Sequence, residues 1–178
     1  MPSFHRIRTW SRWMRGVTSL TIVILPLTIF WGIYTAMADP SVAAQRFPDL
    51  PVMTDFAAAD VLLAGLIGAT TLIPALFVLL NMRNLFGRYA AGEVLTAACA
   101  DHIRQIGTGF VVISILNLLI PTAQALVLTL GNPAGSRALM VQISPDSMGF
   151  LLAGGLLVAI GWAMTEAARA AEENAGFV

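Results

Sequence analysis

The sequence is poor in charge, in cysteine and in histidine, and it holds no lysine. Only 11% of its 178 residues are charged, against roughly a quarter in soluble domains, which sets it apart from that class. The 10 basic and 10 acidic residues cancel, so no net field exists to recruit nucleic acid or an acidic substrate. A single cysteine, Cys99, excludes an internal disulfide. His5 and His102 are the only histidines and both stand outside the apolar runs, so no axial imidazole is offered there to a haem or a chlorin. "CADH" at 99 to 102 has metal-like spacing, but a structural zinc wants about four such ligands and the chain does not supply them. It also lacks a glycine-rich phosphate loop, a zinc-protease helix and an intramembrane His or Lys to activate a serine. The expectation is a protein that is not an enzyme and has no metal or intrinsic cofactor.

What fills the space is hydrocarbon: 57% of the residues are hydrophobic. A membrane-crossing helix needs about 20 apolar residues, and such runs stand at about 17–38, 56–82, 105–130 and 147–165. The fold class this predicts is all-α, an integral membrane four-helix bundle forming one domain over 1–178. Arg6, Arg8, Arg12, Arg15, Arg83, Arg88, Arg104 and Arg169 fall on one set of loops and ends, whereas Arg46 and Arg137 fall on the other. Arginine-rich short loops stay on the cytoplasmic side, so both termini are expected inside, in a bacterial inner membrane. "AMA" at 36 to 38 resembles a signal cleavage site, but the apolar run before it exceeds the usual length, so the segment is expected to be retained.

The leader, 1–16, interleaves Arg6, Arg8, Arg12 and Arg15 with Trp10 and Trp13, the composition of a segment lying at the cytoplasmic lipid headgroups. Pro40, Pro48 and Pro51 make the first connection irregular; Asp55 is a candidate N-cap for the second span, with Asp60 about one turn beyond it. Gly131, Asn132 and Pro133 open the third connection, which then shows a short β-prone run at 139–143. In the second connection Gly87 and Gly92 are breakers and Thr96 is a candidate N-cap. A helix from about 97 to 130 would be roughly 50 Å long and would project into the cytoplasm. The fourth span likewise continues through an acidic tail, 166–178, until Gly176 offers a stop.

Two of these segments carry a resemblance. "LFGRYAAGEVLTAACADHIRQIG" at 85 to 107 and "EAARAAEENAGFV" at 166 to 178 resemble the bacterial four-helix membrane family catalogued as domain of unknown function twenty-nine seventy-five. Phe86, Gly92, Ile103, Arg104 and Gly107 match its loop and third-helix pattern, and Glu172, Glu173, Asn174 and Val178 match its ending. Val94 and Leu95 depart from it, standing where a phenylalanine often follows the second glycine. The resemblance implies four helices and cytoplasmic termini, and it implies no reaction.

Within the third span, Phe110, Ser114, Asn117, Pro121, Gln124 and Leu128 recur at spacings that share one helix face. Small residues recur at four-residue spacing at Ala64 and Gly68 on span two, and at Gly155, Ala159 and Ala163 on span four, a pattern that lets membrane helices approach closely. Pro121 frees the carbonyl of Asn117, and amides can answer it across such a seam. Three readings of the polar stripe stay open: an internal packing seam, a small cavity for a quinone headgroup, lipid or solute built around Ser114, Asn117 and Gln124, or a surface for a foreign subunit. On the cytoplasmic side, Arg83, Arg88 and Arg104 are expected to pair with Glu166, Glu172 and Glu173. The function expected is that of a noncatalytic accessory subunit among other integral membrane chains. Its most specific form is a photosynthetic reaction-centre and light-harvesting complex, with contact to lipid, quinone or carotenoid. A small transporter or channel, and a regulator binding a soluble protein, are the alternatives.

Overall fold

The computed structural model describes residues 2–39, 57–94, 96–130 and 144–175 together with Val42, Gln45 and Asn132, the side chains of 2–5, 171, 172, 174 and 175 excepted. It contains α1 (Pro2–Ala38), α2 (Ala58–Ala69), α3 (Leu72–Ala91), α4 (Ala97–Leu128) and α5 (Pro145–Ala175), with no strand among the described residues. Taking α2 and α3 together, four helical stretches are long and apolar enough to cross a membrane, the pattern of a multi-pass membrane protein and compatible with a bundle. Asp55, Gly176 and the 139–143 run lie outside the described residues.

The leader does not lie apart from the first span. α1 runs for 37 residues, about 55 Å, through Gly16 and Pro26 without a break, so residues 2–16 prolong the span as one rod. Its register explains the docking: Ser11 and Thr18 are buried one heptad apart, while Trp10 and Trp13 stay exposed on the other side. Arg8 Nε donates to the Ala90 carbonyl at 3.1 Å, and a side-chain carbon placed at Gly87 would stand 3.7 Å from the Arg15 guanidinium. Two cations thus meet the C-terminal turns of α3, where the helix dipole favours positive charge.

The second span is broken at Thr70 and Thr71. Pro74 has no N–H for the Thr70 carbonyl, which instead receives Ile73 N at 3.2 Å. The two threonine hydroxyls turn back to the carbonyls of Ile67 (2.6 Å) and Gly68 (2.8 Å), so the break leaves those acceptors satisfied in an apolar setting. α2 starts later than an Asp55 cap would allow, with Ala57 giving no side-chain cap, and Asp60 sits within its first turn, where a carboxylate suits the dipole.

α3 ends at Gly92, whose φ of 98° is left-handed and is adopted without penalty only by glycine. Glu93 N then reaches Arg88 O at 3.0 Å, closing the helix end. Thr96, extended at φ −117° and ψ 153°, caps α4 by accepting from Cys99 N at 3.3 Å. Ser144 does the same for α5, accepting from Ser147 N at 3.2 Å with Pro145 in the first helical position.

The helices form an open row. α5 packs along α4; α4 also meets α3 and α2; α1 packs on α3 and on α2. Among the described residues no comparable contact joins α1 to α5, so the row of described helices does not close on itself. In their most apolar stretches 6% of residues in α1 and 11% in α5 are buried, against 22% in each middle span, so the end helices give most of their circumference to the surroundings. The apolar core, Val78, Leu85, Cys99, Ile103 and Ile106, sits toward the end of the helices that carries both chain termini.

Candidate functional site

The polar stripe of α4 serves two different neighbours. Ser114 Oγ, buried, donates to the Ser147 carbonyl in the first turn of α5 at 2.7 Å. Gln124 Nε2 donates to the Ala64 carbonyl on α2 at 2.9 Å, and a Cβ at Gly68 would come within 2.7 Å of the same nitrogen. Asn117, between them, is half-buried, and its side chain makes no hydrogen bond to a described residue. Helical geometry explains the split: the ten residues from Ser114 to Gln124 turn through about 1000°, some 80° short of three full turns. A face that looks single by sequence spacing therefore swings from α5 to α2 along the helix. α4 runs unbroken through Pro121, and Thr122 Oγ1 bonds the Leu118 carbonyl at 3.3 Å beside the carbonyl that the proline leaves free.

The seam between α4 and α5 is built from other small residues than those the four-residue spacing picks out. A Cβ at Gly107 would stand 2.6 Å from Gly154 O, and one at Gly161 would stand 3.1 Å from Ala100 O. Ala100, Gly107 and Ser114 step by seven along α4, while Gly161, Gly154 and Ser147 step back by seven along α5. Three rungs of an antiparallel heptad seam result, close enough for backbone contact. Gly155, Ala159 and Ala163 stand next to this ridge in sequence but on the exposed face, because one residue turns a helix by about 100°. Expected to pack internally, they instead look outward, and a Cβ at Gly155 would meet nothing within 4 Å.

In the middle of α3, about three turns before its end, the buried Asn81 (5% exposed) joins that helix to α4. Its Nδ2 donates to Phe77 O at 2.9 Å, leaving Oδ1 to accept from His102 Nδ1, also at 2.9 Å. Cys99, wholly buried, points its thiol to Glu93 O at 3.2 Å. These are fastening contacts, and no group of three or more metal-ligating side chains forms among the described residues. Asn81 escaped sequence reasoning because an amide near a span end carries no periodic signal of its own. The heptad of glycines and serines was available, but only to a search at spacing seven.

The ion pairs are local where cross-helix pairs were expected. Arg88 pairs with Glu93 at 2.9 Å, Arg104 with Asp101 at 3.0 Å, and Arg169 with Glu166 at 2.7 Å and Glu173 at 3.7 Å. Neither Glu166 nor Glu173 reaches Arg83, Arg88 or Arg104 in an ion pair; the Glu172 side chain lies outside the described residues. A partner three to five residues away costs less ordering of two long side chains than one on another helix. Arg6, Arg12 and Arg83 are exposed and have no acidic partner among the described residues.

Between α1, α2 and α4, at the helix ends remote from the termini, a cavity of about 460 Å³ opens beside Gln124. Ala64 and Gly68 form part of its wall, whereas Ser114 and Asn117 do not. No protein-family model matches the chain, and no curated protein or solved structure matches it either. Its role has to be argued from its own geometry.

Proposed function

We propose that this chain is a noncatalytic membrane subunit that positions neighbouring integral membrane chains. The open row carries the reading: the outermost helix α5 uses one face on α4 and turns Gly155, Ala159 and Ala163 outward at four-residue spacing. Lipid tails fit around large side chains as well as small ones, whereas a ridge of small residues matters where another helix backbone comes close. Residues that carry the family resemblance hold internal structural posts, Gly92 at a turn, Ile103 in the core and Gly107 on the seam, which suits a scaffold.

Purification in mild detergent followed by mass spectrometry tests this on the native chain and on a Gly155→Leu, Ala159→Leu variant. A stoichiometric membrane partner is expected with the native chain and its loss with the variant, at unchanged helical circular dichroism. If that partner belongs to an electron-transfer or antenna complex, it identifies the assembly. Recovery of the native chain as a lone monomer would end the proposal. A second reading, a regulator holding an acidic soluble protein, is favoured by the unpaired Arg6, Arg12 and Arg83. Its mark in the same experiment is a soluble partner that survives the α5 variant and leaves at high salt.

A further inference from the structure

The cavity between α1, α2 and α4 has a chemical character of its own. Among the described residues no charged side chain lines it; its polar groups there are Thr28, Thr35, Thr71 and Gln124, set among small residues such as Gly32 and Ala64. Every one of those hydroxyl protons is engaged. Thr28 Oγ1 donates to Leu25 O at 2.9 Å, and Thr71 Oγ1 to Gly68 O at 2.8 Å. Thr35 Oγ1 shares its proton between Trp31 O and Gly32 O, both at 3.1 Å. Gln124 commits one N–H to Ala64 O, and no described residue donates to its Oε1.

A hydroxyl oxygen that donates keeps lone pairs, and an amide oxygen accepts twice. The lining thus presents three hydroxyl oxygens and an amide oxygen in want of a donor, against the one remaining N–H of Gln124. We infer that the cavity binds a neutral amphiphile presenting a hydroxyl donor on an apolar body. An ion has no counter-charge in the lining, and burial of an unpaired charge is strongly unfavourable. A quinone or an ester, which only accepts, finds a single donor in the remaining Gln124 N–H and sets its other oxygens against lone pairs. A hydroquinone or a lipid alcohol supplies the missing proton. The volume, about 460 Å³, falls in the range of roughly 300–1,000 Å³ usual for small-molecule sites.

The test uses the full chain in detergent micelles, with 4-nonylphenol and 1-dodecanol each titrated beside its own methyl ether, binding being followed calorimetrically. Both hydroxyl compounds should bind saturably, and at least one should bind about tenfold more tightly than its ether, the worth of one hydrogen bond. Tighter binding of the phenol assigns the site to hydroquinones; tighter binding of the alkanol assigns it to lipid alcohols. Gln124→Leu should weaken the preference for hydroxyl over ether, the threonine oxygens remaining, although it also removes the bond to Ala64. Gly32→Leu guards against misfolding as the explanation, since a Cβ at Gly32 meets nothing within 4 Å and the longer side chain fills the cavity. That variant should fold and lose binding. Equal affinity for each alcohol and its ether, no saturable binding, or undiminished binding by folded Gly32→Leu would overturn the inference.

Discussion

A single methyl group separates two kinds of glycine on α4 and α5. At Gly107 an added Cβ would sit 2.6 Å from Gly154 O and 2.7 Å from Val158 N, backbone atoms that cannot rotate aside. Gly107→Ala should therefore push the helices apart and cost roughly 1–3 kcal/mol, more than the gain of about 1 kcal/mol in helix propensity. Gly155→Ala meets open space, keeps the propensity gain, and should be neutral or stabilising by up to about 1 kcal/mol. Thermal unfolding of the purified variants in detergent checks both, and a Gly107→Ala protein as stable as the parent would contradict the seam. At this scale the sequence was legible for chemistry and less so for direction. Small residues announced close helix approach, but Gly154 and Gly155 are adjacent, and only the placed helix shows which of them faces α4. Ser114 and Gln124 likewise announced polar partners without saying that the helix turn assigns them to different neighbours.

Three prolines interrupt apolar helices, and one of them breaks its element. α1 passes Pro26 and α4 passes Pro121 as continuous helices, whereas α2 and α3 part just before Pro74. The difference lies upstream, where the Thr70 and Thr71 hydroxyls reach the Ile67 and Gly68 carbonyls beside the tighter i+3 bonds that those carbonyls take from Thr70 N and Thr71 N. Pro74→Ala supplies the i+4 donor to Thr70 O in place of the tighter bond from Ile73 N, and amide hydrogen exchange across 70–75 should slow by about tenfold, a stabilisation of ~1.4 kcal/mol locally. Unchanged exchange there would place the cause in the threonines instead. The number of spans and the turn at Gly92 and Thr96 could be read from hydropathy and capping chemistry, because those signals are local. The break at Thr70 could not, since hydropathy averages over Thr70 and Thr71, the residues that set Pro74 apart from Pro26 and Pro121.

For the molecule as a whole, four helical stretches are long and apolar enough to cross a membrane, and four crossings would return the chain to its starting side. We propose, from the arginine placement, that this side is the cytoplasmic one. In a Cys99→Ala background, Ile7→Cys and Ala170→Cys should react with a membrane-impermeant maleimide only from the cytoplasmic face, and Leu130→Cys only from the opposite face. All three parent positions are described and accessible, so labelling reports sidedness directly. Reaction of Ile7→Cys and Ala170→Cys from opposite faces would refute an even number of crossings.

The unclosed row has a consequence for biogenesis. α1 rests on α2 and α3, those helices rest on α4, and α4 receives α5, so each segment finds its dock on a neighbour close in synthesis order. Ribosomes deliver such a chain with its partners already waiting, and no late ring-closing encounter between first and last helix has to be awaited. Low contact order of this kind favours quick, vectorial assembly during translation. It also leaves α5 with an outer face that no other described helix covers.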